Sequence, residues 1–457
     1  MSIPVNGRIA IIDDQIHQAQ PLINILSKNQ KPHTYFSGDP KYLPIEGENY
    51  NDIRILFLDI NLIDDSKHQD KVLKSRLIPV LRRVISPKNF PYVIIYWSRN
   101  DDEYDDLIKD IFNNDLKDRK PIGFTSANKS DFFNYDGSET ENSEENLEKL
   151  FEKVTHLIDE DPVHSYLLQW ENQIHLSTDL TLQEVFSSYH EFEDWTDNAN
   201  FIVNKLGSSY SGKSYKKQVP ESKLKSSFNA LNIVLNDTIE HTINTTEIRE
   251  PKDLPISEKI LSDNIYTINS KLLLNGTSEP IEYSGAIIED VNPKTESIFK
   301  DLLNNSIDRK HIKNELSEAE ISDKTNREIS KLIDRKAKNI RGDIRKNWKR
   351  IYCTVTPLCD YVQGKNEYNR CVKGMLIKSE FLDYIDDKSE AIFISPIFDL
   401  NGEKYIIILN FRYFFTSINL NNIKYIKPLF RARQQLLSEI QSKLSRHINR
   451  QGILFLS

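Results

Sequence analysis

Over the first 135 residues, short β-branched runs alternate with amphipathic stretches, the pattern of βαβ units that stack into a parallel sheet. Strands are predicted at Arg8 to Ile12, Ile53 to Leu58, Tyr92 to Trp97 and Pro121 to Thr125, with HTYFS at 33–37 supplying a fifth. Between them, PLINILSK and KSRLIPVLRRVI carry apolar residues at helical spacing. This predicts a doubly wound, five-stranded α/β domain, followed by a polar segment from Asn134 to Glu145 and the helix LEKLFEKVTHLI. From Pro162 to about Thr246 the apolar spacing is three and four residues, as in YLLQWENQIHL, LTLQEVFSSYHEF and FNALNIVLNDTI, which predicts a helical middle region. Beyond Pro251 and Pro255, LSDNIYTINSKLLLNG and YSGAIIEDV read as strand-rich, and a helix-like run from Lys310 to Arg350 interrupts them. The last hundred residues hold the strands YCTVT, VKGMLIK, AIFISP and KYIIILNFRYFF, then an amphipathic helix from Pro428 to about Asn449. The predicted organisation is a multidomain α/β plus α+β chain. It has a doubly wound domain at 1–160, a helical region at 161–250, and a β-barrel-like domain closed by a helix at 251–457 with a helical insertion at about 300–350.

A chain of 457 residues corresponds to roughly three domains. With 38% hydrophobic and 28% charged residues and no run near the ~20 apolar residues of a membrane span, a membrane-embedded protein is not expected. The opening MSIPVNGRIAIIDDQ lacks the features of a secretory signal, so a cytoplasmic location is expected. Cys353, Cys359 and Cys371 are an odd number crowded together, no disulfide framework for a chain this long, and reduced thiols are expected. The net charge of -8 opposes nucleic-acid binding by the whole molecule but allows local basic patches.

The candidate chemistry sits at predicted strand ends. Asp13 and Asp14 follow the first strand and Asp59 follows ILFL, so parallel pairing brings three carboxylates to the carboxyl edge, where open α/β sheets bind ligands. Such a cluster repels itself unless a cation sits among the oxygens, and oxygen ligands of this kind suit Mg²⁺. Ser98 ends VIIYW and Lys129 follows IGFTSAN, adding a hydroxyl and an ammonium.

These residues, in this order, resemble the receiver domain of two-component response regulators, over the first 135 to 160 residues. The resemblance implies that Asp13 and Asp14 bind Mg²⁺ together with Asp59 and the main-chain carbonyl of Asn61. It also implies that Asp59 accepts a phosphoryl group from a histidine kinase or another phosphodonor protein, assisted by Lys129 and Ser98. Departures are Ser130 after the lysine where receivers usually have proline, an aromatic displaced to Phe124, and the charged insertion LIDDSKHQD after Asp59. VTPLCDY, FRYFF and HINRQG loosely resemble uncharacterised bacterial proteins of anti-phage defence loci. The expected function is a signalling protein relaying phosphorylation of Asp59 to a C-terminal output region. The alternatives are a scaffold that holds an effector or toxin on a degenerate receiver fold, and a regulator that binds nucleic acid through the basic 327–350 stripe.

That stripe has ten basic and three acidic residues between Arg327 and Arg350, and its aromatic interleaving is limited to Trp348 and Tyr352. GSSYSGKS at 207–214 satisfies the phosphate-loop expression, but Pro220 follows soon after and FIVNKL is a short strand candidate, so a flexible loop is expected there. The cysteines lack zinc-site spacing, as do His175, His190 and His241.

Overall fold

The computed structural model describes residues 8–46, 52–62, 68–98, 104–134, 138–160, 162–187, 195–247, 254, 264–276, 281–363, 365, 367–418, 420 and 425–449. The chain divides into two compact units, residues 1–202 with 231–256 and residues 203–230 with 257–457. Among the described residues no helix is long and apolar enough to cross a membrane.

In the first unit the elements run β1 (Ile9–Ile12), α1 (Ile16–Lys28), β2 (His33–Phe36), β3 (Ile55–Asp59), α2 (Asp70–Val84), β4 (Val93–Ser98), α3 (Asp105–Asp110), β5 (Gly123–Asn128) and α4 (Ser143–Asp159). The strands form one parallel sheet in the order β2-β1-β3-β4-β5. That is a doubly wound order, with its switch point between β1 and β3. Period-2 side-chain alternation sorts the core into two faces. Ile9, Ile11, Ile55, Phe57, Val93, Ile95 and Trp97 pack with α1 and α4, whereas Ala10, Ile12, Leu56, Leu58, Ile94 and Tyr96 pack with α2 and α3. Both faces are covered, which is why these strands read as continuous apolar runs. Among the described residues the link from β2 to β3 carries only a 3-10 turn, Pro40–Tyr42.

Three long helices follow, α5 (Pro162–Ser187), α6 (Trp195–Ser211) and α7 (Pro220–Thr245), as the middle-region spacing predicts. Within the first unit α5 and α7 are stitched by hydroxyl pairs, Ser177 to Thr242 and Thr181 to Thr238. The α5 side chain Glu171 takes a bidentate contact from Arg54 (2.9 and 3.0 Å) and a further bond from Arg8, tying α5 to the amino ends of β1 and β3.

The second unit contains α8 (Asn264–Leu273), β6 (Leu274–Asn275), β7 (Ala286–Asp290), α9 (Glu296–Asn304), α10 (Arg309–Asn314), α11 (Glu318–Ile321), α12 (Asn326–Asn347), β8 (Lys349–Thr354), α13 (Leu358–Val362), β9 (Asn369–Lys378), β10 (Ile392–Ile394), β11 (Phe398–Leu400), β12 (Glu403–Ser417), β13 (Ile426–Ala432) and α14 (Gln434–Ile448). Its eight strands make a curled antiparallel sheet in the order β10-β12-β9-β8-β7-β13-β6, with β11 paired to β12. This is a half-barrel: the barrel-like curvature expected from sequence is present as a curled sheet that is open among the described residues, with α14 packed on one face. Both faces carry helices: Ile351, Cys353, Ile407 and Leu409 pack with α14, while Tyr352, Met375, Ile406 and Ile408 pack with α9, α10 and α12.

Two element assignments change. The segment expected as strand at 261–276 is, over its described residues, mostly the helix α8, which Asn269 and Ser270 anchor by bonding the carbonyls of Ile397 and Asp399. The final helix starts at Gln434 and not at Pro428. Pro428 lies in β13 beside a register shift, where a missing N–H removes no regular ladder bond. Gly374 of β9 is required by close approach, since a Cβ there would stand 2.2 Å from the carbonyl oxygen of Ile408.

Candidate functional site

The same alternation that builds the core delivers the site. Asp13 continues the odd-numbered face of β1, Asp59 that of β3 and Trp97 that of β4, and Lys129 stands two residues beyond Ala127 on the same face of β5. In the paired register Ile12 lies beside Leu58, Asp59 beside Trp97, and Trp97 beside Ala127. The functional groups therefore converge at the carboxyl edge next to the β1/β3 switch point. Asn128 holds the turn that follows, its side chain accepting from the Ser130 backbone N–H at 2.9 Å, and this presents Lys129 inward.

Asp13 is 0% exposed, and Asp59 and Lys129 are each 3% exposed. The Lys129 ammonium donates to Asp59 Oδ2 (2.7 Å), Asp13 Oδ2 (3.0 Å) and the Gln18 side-chain oxygen (3.0 Å), using all three of its protons. Its Nζ also lies 5.3 Å from the Trp97 ring centroid. The second carboxylate oxygens are held by backbone: Asp13 Oδ1 accepts from Gln15 N (2.9 Å) and Asp59 Oδ1 from Asn61 N (3.1 Å). The Tyr35 hydroxyl donates to the Asp13 carbonyl at 2.6 Å. One carboxylate oxygen each from Asp13, Asp14 and Asp59 lies within 4.8 Å of the others.

Three carboxylates meet one ammonium, so the pocket carries excess negative charge. Burial, reinforced by the Asp59 charge, pushes Asp13 up to about 7 despite the pull of Lys129. Burial and the same three aspartates push the Tyr35 phenol up to about 12. For Lys129, burial would lower the pKa, but Asp59 and Asp13 outweigh it and the net shift is upward. An all-oxygen donor set with surplus negative charge fits a hard divalent cation such as Mg²⁺. The Asn61 side-chain oxygen, buried and without a hydrogen-bond partner among the described residues, is a further oxygen next to Asp59.

Asp13, Asp14, Asp59 and Lys129 are thus brought together, with Asn61 alongside. Ser98 closes β4 opposite Asn128, and its side chain lies outside the described residues. Gln18, Trp97 and Tyr35 were not singled out from sequence. Gln18 stands on the first turns of α1, one helical turn from Gln15, and Trp97 is the last odd-face residue before Ser98, so the parity of each strand would have found Trp97. GSSYSGKS does not leave a strand: Gly207 to Ser211 lie in α6 and Gly212–Lys217 form a 3-10 turn, so the segment forms neither phosphate-loop geometry nor the flexible loop expected from sequence. Cys353 and Cys371 are buried thiols, both pushed upward by burial, to about 12 for Cys371.

No protein-family description, curated protein or solved structure matches this chain.

Proposed function

We propose that the first unit is a receiver-type phosphoacceptor module in which Asp59 takes a phosphoryl group from a histidine kinase or a small phosphodonor. The observation that carries this reading is the Lys129 ammonium bridging the buried carboxylates of Asp13 and Asp59 at the sheet's carboxyl edge, with Asp14 beside them.

In this reading a carboxylate oxygen of Asp59 attacks phosphorus, the donor's P–N or P–O bond breaks, and its electron pair leaves with the donor. Asp13, Asp14, Asp59 and the Asn61 carbonyl would hold Mg²⁺, which when bound neutralises charge on the phosphoryl oxygens. Lys129 contributes a fixed positive charge that needs no reorganisation, because Gln18 and Asp13 orient it before the donor arrives. The Asn61 N–H fixes the rotamer of the Asp59 carboxylate. Once Asp59 carries the phosphoryl group as an acyl phosphate, its carboxyl no longer offers Lys129 a full negative charge. The ammonium then follows the phosphoryl oxygens, and the repositioned Lys129 is the signal passed on to the rest of the unit.

Titrating the full chain with beryllium trifluoride, a tetrahedral phosphoryl mimic that adds to carboxylates, tests this by calorimetry. Saturable binding that requires Mg²⁺ and disappears in Asp59→Asn is expected. Absence of binding in the wild type, or equal binding in Asp59→Asn, overturns the reading and leaves the fold as a holding platform for a partner.

A further inference from the structure

The helix α12 carries a second polar feature, unrelated to the carboxylate pocket. Its buried side, Ile333, Ala337, Ile340 and Ile344, is anchored in the core of the second unit. Arg327, Lys331, Arg335, Lys338, Arg341 and Arg345 recur at intervals of three and four residues, so all six fall on one face of the helix. At 1.5 Å per residue the row is about 27 Å long. All but Arg341 are exposed and Arg341 is partly so. One acid, Asp334, shares this face and pairs with Arg309 at 2.6 Å, whereas Glu328 sits in the capping box with Thr325 and Asp343 pairs with Lys346 at 2.7 Å. The Arg341 pKa is lowered first by burial, then by Arg309 and Arg345, against the raising pull of Asp334.

Gly342 is an independent observation. It falls on this same face, among Lys338, Arg341 and Arg345, in the interior of a 22-residue helix. A glycine there weakens the helix relative to alanine, and nothing in the fold asks for it: a Cβ at this position meets nothing within 4 Å, and its φ is not in the left-handed region. Its effect is to keep the helix surface low between cations, where the backbone of a partner can come close.

We propose that this face of α12 binds the phosphate backbone of duplex nucleic acid without reading its sequence. Six cations evenly repeated along a rod match a polymer with evenly repeated charge. The apolar side of α12 is buried, so the face has nothing to insert into a membrane, and it has no aromatic row on which single-stranded bases could stack. The chain's net charge of -8 makes the contact a local one.

Fluorescence anisotropy with a labelled random-sequence DNA duplex and the full chain tests the proposal. With six phosphate contacts, log affinity should fall against log salt with a slope of about -5, which is roughly a thousandfold between 50 and 200 mM. The Lys331→Gln, Arg335→Gln, Lys338→Gln triple variant should lower the slope to about -3. Gly342→Leu, which favours the helix, should weaken binding roughly tenfold or more without lowering the melting temperature. No duplex binding at low salt, binding that ignores both variants, or preference for anionic phosphatidylserine vesicles over duplex would each overturn it.

Discussion

Replacing Lys129 with methionine removes the only cation described in the carboxylate pocket, together with three hydrogen bonds, while keeping most of the side-chain volume. Asp13 and Asp59, almost fully buried, are then left without their counter-ion. Removing one partner of a buried ion pair costs about 3–5 kcal/mol, because the remaining charge stays in a poor solvent. The first unit spans residues 1–202 and 231–256, and for a body of that size each kcal/mol corresponds to roughly 2–4 °C. The variant's first-unit transition should therefore fall by about 6–20 °C at pH 8 without divalent cation. The loss should depend on pH. Asp13 escapes the penalty by taking a proton, as its pKa of about 7 with lysine present already foreshadows, so at pH 5.5 the difference should shrink to about half or less. Differential scanning calorimetry of both proteins at the two pH values reads this directly. A shift under about 2 °C at pH 8, or an equal loss at both pH values, would refute the claim that Lys129 compensates buried carboxylate charge.

Because Asp13 is raised from 3.8 to about 7, folding takes up a proton, and the stability linked to it is fully present below about pH 4 and lost as pH rises through about 7. Millimolar Mg²⁺ should accordingly raise the melting temperature at pH 8, do little at pH 5, and lose its effect in Asp14→Ala, as thermal-shift measurements can show. Gly374→Ala should destabilise the second unit by about 2–3 kcal/mol in denaturant unfolding, since the new Cβ meets the rigid carbonyl of Ile408. Glu171→Gln should cost the first unit about 2–3 kcal/mol, because Arg54 and Arg8 lose their shared carboxylate, and hydrogen exchange should report earlier opening of α5.

Much of the first unit was legible because strands buried on both faces read as unbroken β-branched runs, and because acidic residues placed after such runs must gather at one sheet edge. Asp13 and Asp59 follow from that rule, and Lys129 from the same strand-end placement after β5. Gln18 was not legible, since its contact depends on how α1 packs across the sheet and not on any local pattern. In the second unit IYTINSKLLL satisfies both a strand's β-branched content and a helix's spacing, and tertiary bonds from Asn269 and Ser270 accompany the helix. Pro428 misled because a proline before an apolar run marks a helix start, whereas here it sits at an irregularity in β13. The helices on both faces of the second sheet left no signal of closure: β-strand alternation alone does not distinguish a curled open sheet from a barrel.

Phosphorylation of Asp59 is read most directly as covalent mass. The full chain incubated with acetyl phosphate and Mg²⁺ should gain one phosphoryl group by intact mass spectrometry, peptide mapping should locate it on Asp59, and Asp59→Asn and metal-chelated samples should gain none. An unmodified wild-type protein under these conditions and with phosphoramidate, or a phosphoryl group that persists in Asp59→Asn, would contradict it.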